Sequence, residues 1–268
     1  MVLHPSGPVG TTEEHLILIS AGLMAAVIVP ALAFLGWILV RFRDKPGNRA
    51  RFAPEWAENR TLEVIWWSVP IVLVAIIGIF TAKDIYALTN PPEKNVKPLT
   101  IDVVSLDWKW LFMYPGQHIA TVNYAEVPTG VPVQFVLTSD APMNSFWVPA
   151  LGGQVYTMPG MAEKLWLQAD KSGEFYGHGA NFTGAGFAQM QFSVISKPES
   201  EFASWVQHVK ETSSTLTNQG YVQLKQPGNV ATLSYSDYPS GLFENIVMTD
   251  GGKYYKQMNI SAMPGMGN

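Results

Sequence analysis

Residues 16–40 read LILISAGLMAAVIVPALAFLGWILV, a run of 25 residues without a charged side chain. At about 1.5 Å of rise per residue, a helix of this run is roughly 37 Å long, which exceeds a hydrocarbon core of about 30 Å. Residues 64–82, VIWWSVPIVLVAIIGIFTA, form a second uncharged run that is just long enough to cross. Soluble helices rarely stay apolar on every face over such a length. The two runs therefore predict two transmembrane helices.

An uncleaved signal peptide is the alternative interpretation of the first run. The run is longer than the usual apolar stretch of about 7–15 residues, and residues 1–15 contain no Lys or Arg that could precede it as a basic segment. Thr11 and Glu14 have the spacing of a capping box, which predicts a helix start near Thr11. A membrane span is the favoured interpretation.

The distribution of basic residues predicts the orientation of the two spans. Six of the seventeen Lys and Arg lie in the loop 41–60: Arg41, Arg43, Lys45, Arg49, Arg51 and Arg60. The positive-inside rule places this loop in the cytoplasm and both termini outside. We interpret these charges as topological rather than as a specific lipid site.

Composition excludes several classes of function. The net charge of −4 argues against a nucleic-acid partner, which requires a basic face. The chain has no cysteine, so a disulfide, an iron–sulfur cluster and a thiol nucleophile are excluded. No two of the five histidines have ligand spacing, and a histidine metal site is not predicted. They are His4, His15, His118, His178 and His208.

From residue 99 onward the sequence changes to short alternating runs separated by turn signals. The predicted strands include residues 100–104, 131–137, 164–167 and 190–194. Glycine-containing turns such as Thr129-Gly130 and Pro159-Gly160 separate them, which is typical of a sandwich or barrel. A helix is predicted over residues 200–210, and the pattern weakens after Ser213.

Four motifs occur in order along the chain. They are LEVIWWSVP at 62–70, DWKWLFMYP at 107–115, MNSFWVP at 143–149 and MPGM at 158–161. Over residues 3–210 the chain resembles subunit II of the haem–copper oxidases, and within that family the quinol oxidase branch, of the cytochrome bo type and its haem-a menaquinol relatives.

The resemblance implies an α-helical membrane hairpin followed by an all-β, cupredoxin-like extracytoplasmic domain and a partly helical C-terminal extension. The expected boundaries are an outer N-terminal segment at 1–13, the hairpin at 14–90, the cupredoxin-like domain at 99–197 and the extension at 198–268. The expected location is a bacterial inner membrane. The first residues resemble the segment that follows a lipidated Cys in relatives, which leaves open whether a lipid anchor belongs to this protein.

In the cytochrome c oxidases, subunit II carries a dinuclear copper centre, CuA, whose bridging thiolates suit soft copper. The resemblance places the first His position on Asn144, the Cys positions on Gly179 and Thr183, the second His on Phe187, the backbone-carbonyl Glu on Asn181 and the Met on Met190. One thioether cannot hold copper alone. The sequence therefore predicts a copper domain without its copper.

The family's chemistry follows from that absence as an expectation. We expect no cofactor in this chain, haems and CuB in subunit I, and electrons from quinol bound by subunit I instead of cytochrome c. The expected partners are subunit I, subunits III and IV, and membrane lipid, and the isolated chain is expected to be inactive. Two other classes stay as alternatives: a CuA electron carrier and a membrane-anchored assembly module.

Glu63, at the start of the second span, is the candidate for chemistry in this chain. Family members have a Glu here near the mouth of a proton channel, which makes Glu63 a proton-uptake group. The alternative is a plain helix-start charge with Thr61 as the cap. The aromatic stretch at 107–114 is predicted to be core and interface packing. Asp107 and Lys109 are predicted to form a structural or subunit-contact ion pair.

Overall fold

The computed structural model describes residues 2–49, 55 and 58–249. Parts of the basic loop (50–54 and 56–57) and the Met-rich end (250–268) therefore lie outside the described residues. The chain divides into two compact units. One is His15–Tyr86, and the other combines Met1–Glu14 with Ala87–Asn268.

Two long apolar helices dominate the first unit. They are α1 (Pro8–Arg41) and α2 (Arg60–Leu88). No residue in the most apolar window of either helix is buried within the protein. Apolar surface of this extent is unfavourable in water, so both helices are transmembrane, as predicted.

Helix α1 begins earlier than the capping-box pattern predicts. Pro8 is its first residue, a position where the missing N–H of proline costs no hydrogen bond. The Thr11 hydroxyl donates to the Gly7 carbonyl at 2.9 Å, so the predicted capping box is wrong. Residues 151–153, in the β-sheet domain described below (the β-domain, residues 99–197), hold the first turn instead. The Gly10 N–H donates to the Leu151 carbonyl at 3.0 Å, and a Glu13 carboxylate oxygen accepts from the Gly153 N–H at 2.9 Å.

The cap of α2 also differs from the prediction. The Asn59 side-chain oxygen accepts from the Leu62 N–H at 3.1 Å, which is the usual N-cap bond. Asn59, and not Thr61, is therefore the capping residue.

The second unit contains eleven described strands in two sheets. They are β1 (Leu99–Leu106), β2 (Lys109–Tyr114), β3 (Ile119–Val122), β4 (Tyr124–Pro128), β5 (Val133–Ser139), β6 (Asn144–Trp147), β7 (Val155–Thr157), β8 (Glu163–Leu167), β9 (Gly173–Gly179), β10 (Gln191–Lys197) and β11 (Leu233–Tyr235). One sheet has the order β11-β3-β2-β1-β5-β8, and the other has the order β4-β10-β9-β6-β7. The pairs β1–β5 and β4–β10 are parallel, and the remaining pairs are antiparallel.

An aromatic core fills the space between the two sheets. Trp110 and Phe112 are fully buried, and the Phe146 ring stacks on Phe192 with centroids 4.7 Å apart. Trp110 meets Phe146 edge-on at 5.3 Å. The predicted packing role of the aromatic stretch is confirmed, and the two-sheet cupredoxin-like fold agrees with the prediction.

The other face of the six-stranded sheet is also apolar, and the C-terminal extension covers it. After α3 (Glu199–Thr212), the short helices α4 (Asn218–Leu224) and α5 (Leu242–Thr249) complete a second core cluster. Leu111 and Met113 supply the sheet side of that cluster, while Ile246 and Val247 supply the helix side.

Lys109 joins the extension to the sheet. Its buried ammonium donates to the carbonyls of Leu224 at 2.9 Å and Gln226 at 2.7 Å, at the end of α4. Cations at the C-terminal end of a helix satisfy carbonyls that lack partners within the helix. Among the described residues no salt bridge joins Lys109 to Asp107, so the structural ion pair is wrong, and a subunit-contact ion pair stays a prediction.

Asp102 lies in β1 beneath this extension. Burial, together with the nearby charge of Glu244 in α5, raises the pKa of its carboxyl from the usual 3.8 to about 8. The folded protein therefore holds this carboxyl in its neutral form at neutral pH.

Stability should fall as pH rises because of Asp102. The folded chain binds a proton that the unfolded chain releases above about pH 4, so the contribution is full below that pH and is lost as pH rises towards 8. The slope is on the order of 1 kcal/mol per pH unit. We expect Asp102→Asn to flatten the dependence and to stabilise the protein at pH 8, measured by urea unfolding of the full chain in detergent.

The exposed Asp170 supplies the matched control. Asp170→Asn should leave the pH slope unchanged. If Asp102→Asn keeps the wild-type slope, the buried neutral carboxyl is contradicted.

Candidate functional site

The loop between β9 and β10 meets the start of β6. Antiparallel pairing sets Phe146 opposite Gly179 and Trp147 opposite His178. The same His178 pairs with Gln191 of β10. Since the two ends of the loop are adjacent strands, residues 180–190 are held over the first residue of β6, Asn144.

The Asn144 side chain is fully buried and joins three segments. Its Nδ2 donates to the Met190 sulfur at 2.9 Å. Its Oδ1 accepts from the N–H of Ser145 at 2.7 Å and from the N–H of Asn181 at 3.3 Å. One amide therefore connects the start of β6 with the beginning and the end of the loop.

Gly179 packs directly against that amide. A Cβ built on Gly179 would lie 2.9 Å from both Nδ2 and Oδ1 of Asn144. Contacts under 3.0 Å essentially never occur for a real Cβ, and both amide atoms are fixed by hydrogen bonds. A side chain at Gly179 therefore requires Asn144 to move.

Trp108 supports the middle of the loop, a role that the sequence analysis missed. Its indole N–H donates to the Thr183 carbonyl at 3.2 Å. A Cβ on Gly186 would lie 2.3 Å from the Trp108 ring, and Gly184 adopts a φ of +116° in contact with the same ring. The Gly-x-Gly spacing at 184–186 was the available signal, since adjacent small residues commonly allow close approach of an aromatic ring.

Phe187 and His178 lie at the open side of the loop. Phe187 begins a 3₁₀ turn (Phe187–Gln189) and contacts the exposed Phe182 edge-on at 5.7 Å. The His178 ring is edge-on to Trp147 and to Tyr176, each at 5.2 Å, and burial lowers the pKa of His178. The rings of Trp147, Tyr176, His178 and Phe187 line a cavity of about 300 Å³. Because burial lowers the pKa of His178, its imidazole is neutral at neutral pH.

The donor groups at this site do not fit a dinuclear copper centre. Such a centre requires bridging thiolates with imidazole ligands, whereas the groups assembled here are an amide, a thioether and a residue without a side chain. Across residues 2–49 and 58–249, no group of three or more His, Cys, Asp or Glu side chains is placed to hold a metal ion.

Glu63, the other predicted site residue, lies in the His15–Tyr86 unit. It occupies the first turn of α2, and its N–H donates to the Asn59 carbonyl at 3.0 Å. Its side chain is exposed. Proton uptake by Glu63 stays a prediction.

Comparison with known proteins defines the class of this fold. Residues 112–197 match the family model described as cytochrome c oxidase subunit II, periplasmic domain, so the class is a membrane-anchored oxidase subunit II. The chain is 45% identical over 239 residues to quinol oxidase subunit 2 of Bacillus cereus, which covers 88% of this chain and 82% of the relative. The chain belongs to the family of quinol oxidase subunit 2.

Two further relatives carry ubiquinol in their names. The identity is 40% over 250 residues to cytochrome bo(3) ubiquinol oxidase subunit 2 of Pseudomonas putida, covering 92% of this chain and 79% of the relative. It is 37% over 251 residues to ubiquinol oxidase subunit 2 of Acetobacter aceti, covering 92% and 81%. The predicted resemblance to the quinol oxidase branch is confirmed.

The contact between Asn144 and Gly179 predicts strong coupling of their substitutions. Asn144→Ala removes the acceptor of one buried and one part-buried N–H group and should cost about 2–4 kcal/mol of unfolding free energy. Gly179→Ala should cost about 1–3 kcal/mol because its methyl group collides with the amide. In the Asn144→Ala background the collision is absent, so the double variant should be at least ~1 kcal/mol more stable than the sum predicts. Urea unfolding of the four chains in detergent measures this.

Gly116 is a control because a Cβ added there meets nothing within 4 Å. Gly116→Ala should combine additively with Asn144→Ala. Additive behaviour of Gly179→Ala as well would contradict the close packing of Gly179 on the amide.

Proposed function

We propose that this chain is the non-redox subunit II of a proton-pumping quinol oxidase, a complex that reduces oxygen to water with electrons from quinol. The observation that carries the proposal is the buried Asn144 amide. It fills the position that the resemblance assigns to the first copper ligand and makes the loop contacts there itself. Membership of the quinol oxidase subunit 2 family supplies the reaction.

The loop positions explain why electrons would not pass through this chain. We assign Asn144, Gly179, Asn181, Thr183, Phe187 and Met190 to the degenerate ligand positions of a CuA centre. A soluble cytochrome c would find no electron acceptor here, because amide and thioether groups are not redox-active. In this proposal the haems and CuB belong to subunit I, quinol binds to subunit I, and the isolated chain has no oxidase activity.

The architecture suits the work of anchoring and covering a catalytic partner. The two apolar helices would pack against subunit I within the membrane, with subunits III and IV as further partners. The positive charge of loop 41–60 supports a cytoplasmic position for it, and both termini and the β-domain would then be extracytoplasmic. We propose 1–13, 14–90, 99–197 and 198–268 as the functional divisions.

Glu63 is the residue that we propose for chemistry. With the loop 41–60 in the cytoplasm, the first turn of α2 lies at the inner surface. An exposed carboxylate there can collect protons from water and pass them to a channel in subunit I. Its exposure and its place beside the Asn59 cap support uptake from solvent.

The test is purification of the oxidase complex by a tag on this chain. We expect a haem-containing subunit to co-purify and the complex to oxidise quinol with oxygen but not reduced cytochrome c. Recovery of the chain without haem would support the alternative of an assembly module. Oxidation of cytochrome c would contradict the non-redox assignment.

Glu63→Gln in the same complex should slow quinol oxidation severalfold and lower proton pumping, because the amide cannot accept or release a proton. Glu58→Gln, two residues before the start of α2 and likewise exposed, is the matched control and should retain both activities. The measurements are oxygen consumption and proton release from reconstituted vesicles. Wild-type turnover and pumping in Glu63→Gln would exclude proton uptake through this carboxylate.

A further inference from the structure

The basic segment that follows α1, residues 42–48, folds back towards the end of the helix. Residues 45–48 read KPGN, with Gly47 at a φ of +86°. The Asn48 N–H donates to the Lys45 carbonyl at 3.0 Å, which closes a four-residue turn. Proline followed by a glycine with positive φ is the pattern of a type II β-turn. The charges after α1 are therefore placed on a folded turn.

The Asn48 side chain fastens this turn to the end of the helix. Its Nδ2 donates to the carbonyls of Arg43 at 2.8 Å and Arg41 at 3.2 Å. Its Oδ1 accepts from the Arg41 guanidinium at 3.3 Å. The final carbonyls of a helix lack partners within it, so Asn48 serves as a cap as well as a fastener.

The folded turn and the end of α1 form a cleft of about 420 Å³ that is open to the outside. Arg41, Arg43 and Lys45 line it on the polar side, and Trp37 and Val40 line it on the apolar side. None of the lining residues is acidic. Within the part of the chain that the structure describes, the salt bridges involve none of these three cations. Three positive charges thus line one space, and Asp44, between Arg43 and Lys45 in the chain, is not among its lining residues.

The aromatic residues place this cleft at the level of the lipid headgroups. Trp37 is 54% exposed, and its ring stacks on Phe34 at 5.6 Å and meets Phe42 edge-on at 6.2 Å. Tryptophan prefers the interface between hydrocarbon and water. The apolar side of the cleft continues along α1 into the membrane, and the polar side opens at the surface.

The folded turn goes beyond the topological role that the sequence indicates for these charges: we propose that this cleft binds the phosphate of an anionic phospholipid, with the acyl chains lying along α1 beside Trp37 and Val40. Guanidinium groups match phosphate geometry with paired N–H donors, and Lys45 adds a third charge. Basic clusters beside a transmembrane helix attract anionic lipid. The site depends on α1 crossing the membrane, and it depends neither on Glu63 nor on quinol oxidation.

The test uses the purified oxidase complex in nanodiscs that contain a lipid with a photoreactive headgroup, followed by mapping of labelled peptides. We expect photoreactive phosphatidylglycerol to label the segment 37–48 severalfold more than the phosphatidylcholine analogue. Asn48→Ala keeps every charge but releases the turn, and it should reduce labelling severalfold. Arg43→Gln should do the same.

Arg49→Gln is the matched control. Arg49 lies one residue beyond the turn and does not line the cleft, so its loss should leave labelling unchanged. Equal labelling by both lipids, wild-type labelling of Asn48→Ala, or equal losses in Arg49→Gln and Arg43→Gln would overturn the proposal, because each indicates attraction by net charge alone.

Two further arms identify the source of the phosphate and the state of the helix. Inorganic phosphate should not protect the segment beyond the effect of chloride at equal ionic strength, and specific protection would overturn a lipid in favour of free phosphate. A probe with its reactive group in the acyl chain should label α1 in every variant. Absence of that label would contradict the membrane placement of α1, and this site with it.

Discussion

The β-domain depends on one buried amide. The long loop between β9 and β10 has to hold its two ends together and satisfy the backbone groups that lie against the buried Asn144. Asn144 does this by accepting from two backbone N–H groups and donating to the Met190 sulfur. A buried N–H left without an acceptor costs about 1–3 kcal/mol, so Asn144 contributes substantially to the free energy of unfolding.

In the proposed assignment, contacts from the protein itself take the place of metal coordination in this loop. A copper centre would hold the loop through ligands at both of its ends, whereas here the amide holds the ends and the Trp108 ring supports the middle. Gly179 leaves room for the Asn144 amide, and Gly184 and Gly186 leave room for the Trp108 ring, because a Cβ at each position would crowd these groups. These contacts fix the conformation of the loop, in agreement with a structural role beside a catalytic subunit.

The sequence predicts the parts of the fold that arise from local pattern. Uncharged runs define both spans, and alternation locates β1, β5, β8 and β10 to within a few residues. The start of α1 at Pro8 was missed because contacts from residues 150–153, far along the chain, stabilise its first turn. The packing of the C-terminal extension on the sheet was missed for a related reason. Leu111 and Met113 make the outer face of the sheet apolar, and only the folded sheet reveals that this face needs a cover.

The candidate site, likewise, could be predicted only in part from the sequence. The missing cysteines and the identity of Asn144 are readable from sequence, but the hydrogen bonds that make Asn144 a replacement require three segments that are distant in the chain. Lys109 is a comparable case: its neighbour Asp107 suggested an ion pair, yet its partners are carbonyls more than a hundred residues away. Partners at such distances are set by tertiary packing, which one-dimensional spacing does not encode.

The central claim is that the loop is held by protein contacts and needs no metal. Hydrogen exchange of the backbone amides at 179–190 in the purified complex, with added copper and with a chelator, tests it most directly. The account predicts slow and identical exchange of the Gly179 and Asn181 amides in both conditions. Faster exchange of this loop on chelation would show that a metal ion organises it, and would contradict the account.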